Sequence, residues 1–255
     1  MVKVLNFRVR GKMAHFRRYY SNSSALTYSI PPRTTITGIL AGLLGLERDS
    51  YYELFNLDQC DIAVANAAPI KKEVQKLNLL MIKKLKNDVN GYQDNHSQAA
   101  TELVLPQNIR TGMLDYRIWV HHRDPAIMDR LEQSLSTSSQ VYCSKGISLA
   151  LGTAWNLGWI KFDGVYEGTE MRQVDMVEII SAIPVRLLKQ LFIPDDKISF
   201  YRLTKEDLPL EFDVNRCLTE RGKGNMIINL LETPIHAQLE EHVKLEDNTS
   251  IIWMK

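Results

Sequence analysis

The sequence predicts an α+β fold. An antiparallel sheet is covered on one face by two helices, the ferredoxin-like or RNA-recognition-motif arrangement, and a smaller β-rich region follows. Three observations predict it. Residues 2–10 and 113–121 alternate apolar and polar side chains with the period of a strand. Residues 33–46 and 124–135 carry apolar stripes with the period of a helix. The order along the chain is strand, helix, strand, hairpin, strand, helix, strand, which divides it into residues 1–162 and a remainder, 163–255.

The first strand alternates Phe7 and Val9 with Arg8 and Arg10, and Gly11 permits a sharp exit. A long loop, Lys12 to Ser29, closes at Pro31-Pro32, and loops of that length are usually functional or disordered. A helix then starts near Arg33 or Thr34, with Thr34 or Thr35 placed to cap it. Ile36, Ile39, Leu40, Leu43 and Leu44 share one face, and Gly38, Gly42 and Gly45 would let that helix approach a strand closely. Asp49–Leu57 reads as a short capped helix and Cys60–Ala68 as a strand.

Residues 71–109 read as a projecting hairpin: two strand-like arms around the polar tip 87–100, with Lys83, Lys84 and Lys86 among its basic flanks. In the next strand Leu114, Tyr116, Ile118 and Val120 face one way; Asp115, Arg117, Trp119 and His121 face the other. Asp124-Pro125 opens a helix with Ile127, Met128, Leu131 and Leu135 inward. Val141–Leu151 and Leu157–Phe162 are strand candidates. Beyond residue 163 the chain reads as short strands broken by prolines, with a hairpin turn at Arg221-Gly222-Lys223-Gly224 and a final strand at Ile251–Met254.

With 255 residues, 45% of them hydrophobic, the chain is long enough to bury a full core. The three cysteines, Cys60, Cys143 and Cys217, have neither metal-ligand nor disulfide-framework spacing, which suits reduced thiols in the cytoplasm. Arg8 and Arg10 interrupt any apolar signal core, and no apolar run approaches the roughly 20 residues of a membrane span. The histidines and acids form no ligand cluster, so no metal and no cofactor is expected.

Net charge is only +1, yet the first forty-six residues hold seven cations and no acid. For residues 1–86, Lys and Arg minus Asp and Glu gives 14 − 6 = +8, leaving −7 for the other 169. Cations interleaved with rings suit a polyanion with flat bases: Arg10, Lys12, Arg17, Arg18, Arg33 and Arg110 for phosphates, Phe16, Tyr19 and Tyr20 for stacking, with His15 and Tyr28 beside them. A solvated edge strand with a few core aromatics is the other reading. The helix start at Arg33 is likewise either a phosphate seat or a core element.

The stretches Gly11-x-x-Ala14-His15-Phe16-Arg17, Ser24–Thr35 with Ile36-x-Gly38, and Leu43-Leu44-Gly45 resemble the signature of the CRISPR-associated Cas-five family, with wording closest to type I-B members. Tyr116–Val120 and the helix after it sit where that family has its second strand–helix unit. The family's Leu-Gly-Arg-like turn is replaced by Tyr142–Gly146. The resemblance implies a repeat-associated protein of antiviral defence with a ferredoxin-like body and a thumb. Such a subunit grips the 5′ handle of the guide RNA (crRNA) in a Cascade complex. It touches the backbone and large subunits and meets target DNA only through the complex. In the type I-C branch the family cuts precursor RNA without metal. Tyr28 matches that branch's tyrosine and His121 or His122 falls near its histidine, but Trp119 or Val120 replaces its lysine. The implied role is therefore RNA holding, with metal-independent cleavage as the alternative.

Overall fold

The computed structural model describes residues 1–21, 25–80, 96–137, 149–172 and 175–255. The expected RNA-binding residues Lys83, Lys84 and Lys86, residues 87–95 of the hairpin tip and the Tyr142–Gly146 segment lie outside the described residues. The fold is α+β and mostly strands. In chain order the first part runs β1 (Val2–Gly11), β2 (Phe16–Arg17), β3 (Thr27–Tyr28), α1 (Arg33–Leu43), β4 (Cys60–Asn66), β5 (Ile70–Leu80), β6 (His96–Pro106), β7 (Leu114–His122), α2 (Pro125–Thr137) and β8 (Gly158–Met171). The second part is strand-rich: β9 (Met176–Ile179), β10 (Ile183–Pro184), β11 (Leu188–Phe192), β12 (Leu203–Pro209), β13 (Lys223–Asn229), β14 (Ile235–Leu239), β15 (His242–Leu245) and β16 (Ser250–Ile251).

Nine strands form the main sheet in the order β11-β14-β9-β16-β15-β8-β1-β7-β4. Within it β8-β1-β7-β4 is antiparallel throughout, β1 lying between β7 and β8. Alternation decides what each face buries. Leu5, Phe7 and Val9 of β1, with Tyr116, Ile118 and Val120 of β7, join Ile36 and Leu40 of α1 and Met128 and Leu131 of α2 in the largest core cluster. On the opposite face Val4 and Trp119 pack against Val243, Leu245, Ile251 and Trp253. The expected boundary at residue 162 falls inside β8, and both the sheet and the main core, which includes Leu208, Leu210 and Met226, run across it.

α2 starts as its sequence dictates: Asp124 Oδ1 accepts the Ala126 amide at 2.9 Å, and Pro125 fills the first turn. α1 differs. Its N-cap is Pro32 and no side chain caps it, so Thr34 and Thr35 do not serve. It ends at Leu43 with Gly45 at φ 68°, where Gly45 N–H bonds Gly42 O and Leu46 N–H bonds Ala41 O. That is the Schellman arrangement, so Gly45 terminates the helix rather than packing within it. Residues 49–57 form turns instead of a helix, because Asp49 takes a left-handed φ of 65° and binds Arg216 and the Tyr52 hydroxyl.

β5 and β6 pair antiparallel from Ile70↔Pro106 to Leu80↔His96, apart from the main sheet. Strand structure there starts at His96, earlier than the expected Glu102. The outer edge of β4 is already occupied: its Val64 carbonyl accepts the Ala182 amide, and its Ile62 carbonyl accepts that of Met254, each at 2.8 Å. No helix among the described residues is long and apolar enough to cross a membrane.

Candidate nucleic-acid interface

The loop after β1 folds back as a small hairpin on the base of β6. Ala14 and Val104 exchange backbone hydrogen bonds at 2.9–3.0 Å, and Ala25 accepts the Glu102 amide. β2 and β3 then pair Phe16 with Tyr28 and Arg17 with Thr27, leaving Arg18 to Ser21 at the tip. Beneath the tip lies Glu206 of β12, whose side chain is 1% exposed. Oε1 accepts from Lys72 Nζ at 2.8 Å, Ser29 Oγ at 2.8 Å and Arg18 Nη2 at 3.4 Å, while Oε2 accepts the Ser29 amide at 2.8 Å. This carboxylate ties the loop, β5 and the C-terminal part together. Sequence reading missed it, because Glu206 lies 177 residues from Ser29 and no local pattern marks it.

The structure brings Arg17, Arg18, Tyr19 and Tyr20 together. Arg17 is exposed and, among the described residues, reaches only the Ser21 carbonyl. Tyr19 and Tyr20 are 41% and 48% exposed and meet edge to face with centroids 5.1 Å apart. Arg18 is held inward by the Thr27 carbonyl, the Tyr20 hydroxyl and Glu206, over the Tyr20 and Tyr28 rings. Lys12 reaches the Gly112 carbonyl and so lies near Arg110; both are exposed.

Other expected site residues sit elsewhere. Phe16 is buried edge-on against Tyr116, so it cannot stack a base. His15 is buried with Nδ1 2.7 Å from the Glu102 carbonyl, a structural bond. Arg10 binds Asp115 through Nε and Nη2. Arg33 is 1% exposed and donates to the carbonyls of Leu210, Phe55, Asn56 and Cys60, its pKa lowered by burial. It is a strut between α1, the 55–60 turns and the end of β12, not a phosphate ligand.

These placements correct the reading of the charge asymmetry. Of the seven cations before residue 47, Lys3 pairs with Asp129 and Glu132, Arg8 with Asp115 and Asp163, Arg10 with Asp115, and Arg18 with Glu206. Among the described residues only Lys12 and Arg17 lack both a carboxylate partner and burial.

Tyr28 and His121 do not form one site. Tyr28 is fully buried and burial raises its phenol pKa, which disfavours a phenolate base. The Tyr116 hydroxyl donates to the carbonyl of Ser29, next to Tyr28. His121 lies five residues further along β7, about 16 Å at strand rise, and on the opposite face of the sheet. Its Nδ1 donates to the Lys3 carbonyl. The buried His122 bonds the Leu54 carbonyl and accepts the Asp124 amide. Among the described residues no group of three or more His, Cys, Asp or Glu is placed to hold a metal.

Residues 4–116, from β1 into β7, match the family model described as CRISPR-associated protein (Cas_Cas5). That stretch, a little under half of the chain, matches the Cas-five family. Two solved structures are also similar to it. One, described as a CRISPR RNA-guided surveillance complex, is 13% identical at a TM-score of 0.43 and covers 92% of this chain and 91% of that one. The other, described as a crystal structure of a Cas protein, is 11% identical at 0.40 and covers 90% and 95%. No curated protein matches the chain. The family region spans the loop bearing Arg17, Tyr19 and Tyr20, so the Cas-five match and this candidate interface coincide.

Proposed function

We propose that this protein is a non-catalytic subunit of a type I Cascade complex, of type I-B character, that holds the 5′ handle of crRNA in antiviral defence in the cytoplasm. The observation that carries this is the tip of the β2–β3 hairpin. Arg17, Tyr19 and Tyr20 stand in solvent there, on a base fixed by Glu206, within the Cas-five region. An exposed cation beside two exposed rings fits one phosphate and an unstacked base of single-stranded RNA. In this reading β8-β1-β7-β4 with its two helices is the ferredoxin-like body and β5–β6 the thumb. Lys12 and Arg110 extend the phosphate path, and the backbone and large subunits are the neighbours.

Filter binding of repeat-derived handle RNA tests this. Arg17→Glu combined with Tyr20→Ala is expected to weaken binding by about 2 kcal/mol or more, roughly thirtyfold, with an unchanged circular dichroism spectrum. Unaltered affinity overturns the reading.

A further inference from the structure

The chain has four tryptophans, and two are buried, Trp119 and Trp253. The other two stand in solvent, Trp155 at 58% and Trp159 at 40% exposure. An exposed ring carries weight only through what surrounds it. Their placement is specific. On β8, Trp159 and Lys161 are both exposed and share one face by alternation. In the antiparallel register Trp159 lies opposite Arg10 of β1, and Lys161 opposite Arg8.

Trp155 lies in a tight connection just before β8, closed by Leu151 N–H to Asn156 O at 2.7 Å and Gly158 N–H to Leu149 O at 3.1 Å. This connection docks on the loop already described: the His15 amide donates to the Leu151 carbonyl at 2.9 Å. The connection that carries Trp155 is therefore held against the loop that follows Lys12.

The cations around Trp159 are set in place. Asp115 Oδ2 takes Arg8 Nη1 at 3.1 Å and Arg10 Nε at 2.9 Å, and Asp163 Oδ2 takes Arg8 Nε at 2.6 Å. Lys161 lies 3.6 Å from the other oxygen of Asp163. Two carboxylates thus orient three cations, leaving a net positive, preordered surface with guanidinium N–H groups to spare. Rings edged by oriented cations match bases edged by phosphates.

We propose that Trp159, with Trp155 on the connection before it, is a base-stacking platform for single-stranded RNA on the sheet face opposite the helices, with Arg8, Arg10 and Lys161 contacting phosphates. This rests on the RNA-holding reading and extends it from the β2–β3 tip to a second surface.

The test is fluorescence titration of the full chain with a short single-stranded RNA of mixed sequence. Stacking on exposed rings is expected to quench tryptophan emission. Trp159→Ala is expected to weaken binding about tenfold, the scale of one base–aromatic stack, and Trp159→Phe to restore most of it. Affinity unchanged in Trp159→Ala but lost in Arg17→Glu overturns the platform and leaves the RNA-holding reading standing. No binding by the intact chain overturns both. Weaker binding with no quenching in the intact chain makes Trp159 a fold support and overturns the platform. Reduced self-association of Trp155→Ala at unchanged RNA affinity assigns the rings to protein contact and likewise overturns it.

Discussion

Burying the Glu206 carboxylate without partners would cost several kcal/mol, and the four donors around it remove that cost. The same four donors depend on it. In Glu206→Ala, the Lys72 ammonium, only 18% exposed, and the Ser29 amide lose their acceptor together. The expected loss of stability is about 3–5 kcal/mol in urea unfolding. Arg17→Glu, at an exposed side chain bonded to the Ser21 carbonyl, should stay within about 0.5 kcal/mol of the parent. The two arginine neighbours at the tip therefore have different work. Arg18 belongs to the fold and Arg17 to the surface, a distinction that the Phe16-Arg17-Arg18-Tyr19 sequence does not display, because it depends on a carboxylate in β12.

Elements whose signals are local were legible. β1 and β7 alternate, and the Asp124-Pro125 start of α2 carries its own cap. Residues 49–57 were misread because the propensity of the stretch says nothing of the left-handed Asp49 or of Arg216, which holds it from far along the chain. The connection before β8 is a further case. Gly152 has φ 94°, and a Cβ there would come within 1.9 Å of the His15 carbonyl oxygen. Only glycine lets this connection lie flat on the basic loop. Gly152→Ala is expected to cost about 2 kcal/mol or more, read as a thermal midpoint lowered by roughly 4–8 °C. An accompanying loss of the His15–Leu151 hydrogen bond would show as faster amide exchange at His15.

At the scale of the molecule, charge and sheet both join what the sequence divides. The positive first third and the negative remainder are partners: Asp115, Asp129, Glu132, Asp163 and Glu206 take up cations from before residue 47. Net charge along a chain cannot separate such internal pairing from an outward binding face, since both give the same tally. The sheet is joined through β15, which pairs with β8 and β16. His242 at its start is buried, and desolvation lowers its pKa from the ordinary 6.5. The unfolded chain therefore takes up the proton first. Stability is full above pH 6.5 and falls as the pH drops below it. Urea midpoints measured at pH 5.5 and 7.5 should differ in that sense, and His242→Gln should shrink the difference.

The two rims of the nine-stranded sheet are unequal. β4 already accepts amides from Ala182 and Met254 of its own chain, so no foreign strand can zip onto that side. β11, with Phe192 half in solvent, has β14 as its only neighbour within the sheet among the described residues. Any extension of the sheet by an adjoining molecule is thereby polar: it proceeds outward from β11, and the β4 end stays sealed.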